Sequence, residues 1–178
     1  MRKLTNDELN RKSIPEFKAA GKSPFLIVLD NVRSLNNIGS IFRSADAFLV
    51  ESIWLCGITA TPPHRDIHKS ALGATESVDW RYFENTTDAI NELKQLGYVI
   101  VSVEQAAGSV PLDRFMTEPG RRYALVFGHE IKGVSEEVVG LSDACVEIPQ
   151  YGTKHSFNVA VSAGIVLWEL AGRSRSNR

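Results

Sequence analysis

Five largely apolar runs, at 25–29, 52–56, 98–103, 123–127 and 144–148, and one alternating stretch at 78–83, punctuate the chain. Near-continuous apolar runs of this length predict strands buried on both faces, as in parallel sheets covered by helices. Between them the apolar positions change to helical spacing over 38–48 and 87–96, the second closed by Gly97, and Ser135 is placed to cap a further short helix. Strands alternating with helices predict a single α/β domain built on a mainly parallel sheet flanked by helices.

Three stretches fall outside this rhythm. At the N-terminus, Thr5 and Glu8 have the spacing of a capping box, so a short helix is expected there, with Leu9, Ile14 and Phe17 as its apolar contacts and Gly21 and Pro24 as its end. The 59–77 stretch, with Pro62, Pro63 and Gly73, is expected to be a long irregular loop, and such loops usually carry function. The segment 148–169 closes a strand at Ile148 and Pro149 and turns at Gly152. It then begins a helix for which Ser156 is the expected N-cap. That helix is apolar on nearly every face through Trp168, which predicts burial.

The chain has 178 residues, 43% of them hydrophobic and 23% charged, enough for one sizeable core. No apolar run approaches the ~18 residues of a membrane span, and the N-terminus lacks the apolar region of a signal peptide, so no membrane partner and a cytoplasmic location are expected. Cys56 and Cys145 both lie in strand-like runs and read as buried free thiols. Formal net charge is −1, yet residues 1–24 hold six Lys/Arg against three Asp/Glu, and residues 171–178 hold three Arg and no acid. Basic ends suit a polyanion or serve as solubilising tails, and charge alone does not choose between them.

Candidate chemistry gathers after three strands, in the polar loops 31–43, 128–135 and 150–158, where parallel sheets bind ligands. No dinucleotide or phosphate-loop glycine motif follows a strand, which takes the main support from the usual nucleotide-binding readings, and the lack of a nucleophile elbow disfavours hydrolysis. His64 and His68 have the spacing of metal ligands on a helix, but no third ligand completes a set, so no metal is expected. Arg65, Lys69 and both histidines read instead as a polar surface.

The segments LDNVRSLNNIGSIFRSADAF, LVFGHEIKGVS and IPQYGTKHSFNVAVSAGI resemble, in order and spacing, the three motifs of the SpoU (TrmH-like) RNA methyltransferases of the SPOUT superfamily. The resemblance runs from about Phe25 to Glu169. It implies an α/β fold closed by a C-terminal deep trefoil knot, an exception to the near absence of knots that periodicity could not reveal. It also implies S-adenosyl-L-methionine as cofactor, a homodimer, and methyl transfer to a ribose 2'-hydroxyl of RNA. Without a long appended RNA-binding domain, tRNA is expected before rRNA, and no DNA. The resulting division is an N-terminal helical extension (1–24), the methyltransferase domain (25–172) and a basic tail (173–178).

Carried over residue by residue, the resemblance assigns Asn37 and Arg43 from the first motif, Glu130 from the second, and Ser156 and Asn158 from the third to the chemistry. Gly128, Ile148, Phe157 and Val103 would contact the cofactor, and Arg43 would meet the cofactor of the other subunit. Gln150, Phe157 and His129 stand where Met, Leu and Asn are frequent in the family, which bears on pocket shape. Taken singly, Arg43 reads as a helix-end residue, Glu130 as a loop cap, Ser156 as an N-cap and Asn158 as a first-turn residue. Their coincidence at three strand ends favours an active site. Methylation of an RNA base and catalytically silent RNA binding are the rival readings.

Overall fold

The computed structural model describes residues 1–5 and 7–176, with side chains through Arg173 apart from Asn6. Seven strands form one parallel sheet: β1 (Phe25–Asp30), β2 (Ser52–Cys56), β3 (Asp79–Phe83), β4 (Tyr98–Val103), β5 (Val110–Pro111), β6 (Arg122–Gly128) and β7 (Ala144–Glu147), in the order β3-β2-β1-β6-β4-β7-β5. The two-residue strand β5 lies in a segment with no strand signal of its own and pairs with β7 at the sheet edge.

Every residue of β1 is buried, and alternate residues serve opposite faces. Phe25, Ile27 and Leu29 join one core with Ile53, Leu55, Leu125 and Phe127, while Leu26 and Val28 join the other with Trp54, Ala124 and Val126. The first face is covered by α2 (Leu35–Ala47) and α7 (Val159–Ser176), the second by α5 (Thr86–Gln95) and α6 (Glu136–Leu141). In α2, Ile38, Ile41, Phe42 and Ala45 recur at one-turn spacing and are all buried. Neither cysteine is an activated thiol: burial pushes Cys56 up to about 12 and raises Cys145 as well.

Several expectations need correction. The N-terminal helix is two pieces, a 3-10 turn at Asp7–Leu9 and α1 (Ile14–Ala19). Glu8 does reach back to the Thr5 amide at 2.7 Å, but Asn10 takes a left-handed φ of 47° and a second capping box, Ser13 with Glu16, starts α1. Phe17 of α1 is buried in the first core. Helix α2 begins earlier than residue 38, because the Ser34 hydroxyl accepts from the Asn37 amide and caps it.

The 59–77 stretch is largely helical, as α3 (Arg65–Ala71) and α4 (Ala74–Ser77), separated by left-handed Leu72 and Gly73. Here the N-cap is His64, whose Nδ1 accepts from the Asp66 amide, a capping residue that propensity does not flag. Gly39 lets α2 approach α3, since a Cβ there would lie 2.4 Å from the Ile67 carbonyl oxygen.

Helix α7 is not buried all round. Ala163, Val166, Leu167 and Leu170 face the sheet and α2, while Trp168 is 70% exposed and Val161 50%. Its N-cap is Asn158 rather than Ser156, for the Asn158 Oδ1 accepts from the Ala160 amide at 2.9 Å and the Val161 amide at 3.3 Å. Arg173 belongs to α7 rather than to a tail: it donates to the Asp113 carbonyl at 2.8 Å and pairs with Glu169. The side chain of Arg175, and Arg178 altogether, lie outside the described residues. Among the described residues, no helix is long and apolar enough to cross a membrane.

Candidate active site

All seven strands run the same way, so their C-terminal ends share one rim. Strands β1 and β6 are neighbours whose following helices cover opposite faces, which leaves a crevice between the loops they feed. Asp30, the last residue of β1, is 1% exposed and fastens this crevice from below. Its Oδ2 accepts from the Ser135 amide at 2.9 Å, and its Oδ1 accepts from the Thr86 hydroxyl at 2.6 Å and the Asn31 side-chain amide at 2.8 Å. The loop after β6 is thereby tied to the end of β1.

That loop closes on itself through two backbone bonds between His129 and Gly133. The turn brings the Gly133 and Val134 backbone against Gly128, where an added Cβ would sit 2.1 Å from both, so only glycine fits. The ring projects Glu130 across the crevice. Its Oε2 accepts from the Arg33 amide at 3.0 Å, and its Oε1 accepts from the Ser34 amide at 2.8 Å and from Asn37 Nδ2 at 3.0 Å. Partial burial disfavours the charge, but the Ser34 and Arg33 amides outweigh it and hold the carboxyl below the ordinary glutamate range.

Asn37 also accepts from Asn158 Nδ2 at 3.0 Å. One hydrogen-bonded chain, Glu130 to Asn37 to Asn158, therefore joins the loop after β6, the first turn of α2 and the cap of α7. Three of the five expected chemical residues are brought together. Asn37 stands in a helix rather than in the loop expected for it.

Beside this chain opens a cleft lined by Val103, Gly128, Glu130, Ile148, Ser156 and Phe157 among others. All four expected cofactor contacts are therefore on its wall, with Ser156 as a fourth chemical residue. Glu104 and Gln105 also line it and escaped sequence reasoning, as Asp30 did. Glu104 Oε2 accepts from the Val134 amide at 2.9 Å, and Gln105 Nε2 donates to the His155 carbonyl at 2.9 Å. Their only sequence signal was position, immediately after a buried strand.

Arg43 is not part of this cleft within the chain. Six residues beyond Asn37, about 9 Å further along the axis of α2, it is exposed and lines a separate hollow with Lys12, Ser13, Phe17, Asp46 and Ser77. His64 is occupied as a helix cap, and among the described residues no group of His, Cys, Asp or Glu has the arrangement to hold a metal ion.

The family model of the SpoU rRNA Methylase family matches residues 24–168. The 23S rRNA (guanosine-2'-O-)-methyltransferase RlmB of Nitrosomonas europaea is 35% identical over 144 residues, 81% of this chain and 54% of that protein. The tRNA (guanosine(18)-2'-O)-methyltransferase of Borreliella burgdorferi is 34% identical over 150 residues, 84% of this chain and 67% of that protein. The AdoMet-bound rRNA methyltransferase of Sinorhizobium meliloti superimposes with a TM-score of 0.80 at 29% identity, covering 89% of this chain and 60% of that one. The chain thus spans between about half and two thirds of the length of these relatives. The family match over most of the chain agrees with the three motifs, the parallel sheet and the strand-end cleft, and the chain belongs to the SpoU rRNA Methylase family.

Proposed function

We propose that the chain is an S-adenosyl-L-methionine-dependent methyltransferase that modifies a ribose 2'-hydroxyl of RNA. The observation that carries this reading is the Glu130–Asn37–Asn158 chain, which joins the three family motifs on one side of a single cleft. The cleft fits the cofactor chemically. Val103, Ile148 and Phe157 offer an apolar wall for a purine, Gly128 contributes backbone to that wall, and the carboxylates of Glu104 and Glu147 suit a sulfonium cation. When bound, that sulfonium supplies an already activated methyl group, so the protein's work is alignment and electrostatics.

In this reading Asn158, oriented by Asn37, and Ser156 position the ribose at the mouth of the cleft. Arg43 holds a substrate phosphate and stabilises negative charge developing on the 2'-oxygen. A guanidinium hardly deprotonates, so the proton is assigned to a phosphate oxygen of the substrate instead.

The position of Arg43 outside its own chain's cleft supports a homodimer in which it serves the partner's cleft, and the exposed Val161 and Trp168 supply an apolar face for such contact. Family membership supports a trefoil knot formed by the segment after β7, a domain over 25–172 with short extensions, and a cytoplasmic location. Relatives that bear the names of tRNA and rRNA enzymes support either substrate. Recognition of RNA by shape puts tRNA first. DNA is not expected to be a substrate.

Incubation of the protein with labelled cofactor and total RNA, followed by digestion to nucleosides, tests the reading. Label on ribose is the expected result. Label on a base favours the rival base methyltransferase, and cofactor-independent RNA binding with no transfer favours a silent binding module.

A further inference from the structure

The segment 150–157 forms one wall of the cleft, yet every residue from 151 to 157 is exposed. It is pinned at one end by β7 and at the other by Asn158 in its bonds to Asn37 and the first turn of α7. Between those ends, among the described residues, one hydrogen bond ties it to another element: Gln105 Nε2 to the His155 carbonyl at 2.9 Å. The donor stands on firm ground. Glu104 is bonded through its amide to Val146 of β7 at 3.0 Å, and its side chain accepts from the Gln105 amide at 2.9 Å.

We propose that Gln105 is a positioning residue that latches the 150–157 segment in its closed position over the cleft. The inference rests on the methyltransferase reading for what the cleft holds, but not for the latch itself. Gln105 and His155 are both exposed, so water competes for their bond and its net worth is that of one solvent-accessible hydrogen bond. A bond of that strength leaves a small open population, through which a ligand walled in by Ile148, Ser156 and Phe157 enters and leaves. Its loss should enlarge that population about fivefold.

The latch requires a donor at position 105. Gln105→Glu keeps the shape and removes the donor, whereas Gln105→Arg changes the shape and keeps one. Endoproteinase Lys-C cuts after Lys154, an exposed residue next to the latched carbonyl, and mass spectrometry identifies that cut. With ligand-free protein, Gln105→Glu should be cut at Lys154 about five times faster than wild type, while Gln105→Arg should stay within about twofold. The thermal midpoints of all three proteins should coincide. Calorimetry with S-adenosylhomocysteine should show nearly the same affinity in all three proteins, because the closed form remains the majority in each. Wild-type cleavage rates in Gln105→Glu, or equal rates in the Glu and Arg variants, would overturn the latch. Absence of S-adenosylhomocysteine binding to wild type would overturn the methyltransferase reading, and the cleavage rates would still decide the latch.

Discussion

Glu130 and Asn37, 93 positions apart in the chain, meet at 3.0 Å across the crevice between β1 and β6. The same Glu130 oxygen takes the Ser34 amide, so one carboxylate orders both the start of α2 and the side chain that orients Asn158. Ionisation is what makes it an acceptor for three donors at once.

Stability should therefore depend on pH through Glu130. Its folded carboxyl titrates below the ordinary value, so its contribution is complete above about pH 4.3 and is lost as pH falls through the lower folded value. Gln at this position mimics the protonated acid. Glu130→Gln should cost about 1 kcal/mol at pH 7, the net worth of a partly exposed charged hydrogen bond. The gap from wild type should close toward pH 3, and urea titrations at the two pH values measure it. A gap that stayed constant would show that the charge adds nothing.

Gly128→Ala places a methyl group 2.1 Å from the Gly133 and Val134 backbone, which cannot swing aside as a side chain would. A loss of at least ~2 kcal/mol is expected by chemical denaturation. Gly140→Ala in α6 meets nothing within 4 Å and provides the control. It should be neutral or stabilise by about 0.5–1 kcal/mol.

Arg43→Ala should abolish methyl transfer and leave cofactor affinity nearly unchanged, because Arg43 is assigned to the substrate phosphate and the cofactor-lining wall is made by other residues. Mixing it with chains disabled in the cleft by Phe157→Asp should recover activity. Random pairing makes half of the dimers mixed, each with one composite site, so about a quarter of wild-type activity is the expected ceiling. No recovery after subunit exchange would place Arg43 at its own cleft after all.

Trp168 packs edge-on against Phe48, with ring centroids 6.4 Å apart, and leaves most of its surface to solvent. Light scattering should report a dimer for wild type and a monomer for Trp168→Glu at the same concentration, with an unchanged far-UV spectrum. A wild-type monomer would remove the partner-supplied Arg43 from the mechanism.

What the sequence reveals and what it hides divide along physical lines. Phe25–Asp30 is legible because a strand buried on both faces has no polar alternation to confuse it. Caps were harder. Ser156 and Asn158 are both good capping residues, and the choice fell to Asn158 because only it also reaches Asn37. Helix α3 hid behind Pro62, Pro63 and a histidine cap. Asp30, Glu104 and Gln105 were invisible for a different reason. Each acts on a residue between 30 and 105 positions away, and no local pattern encodes a partner at that range. The resemblance, not periodicity, marked Asn37, Glu130 and Asn158.

The place of β1 in the sheet has a consequence during synthesis. It pairs with β2 on one side and β6 on the other. The first partner follows soon after it on the ribosome, but the second, Arg122–Gly128, is made only about 5–20 s later at typical elongation speeds. Throughout that interval the nascent chain carries an open edge of Phe, Leu, Ile and Val that another nascent copy can match in register. Slower translation before residue 122 would lengthen this exposure, so yield of native protein should fall with rare codons there and recover with faster ones.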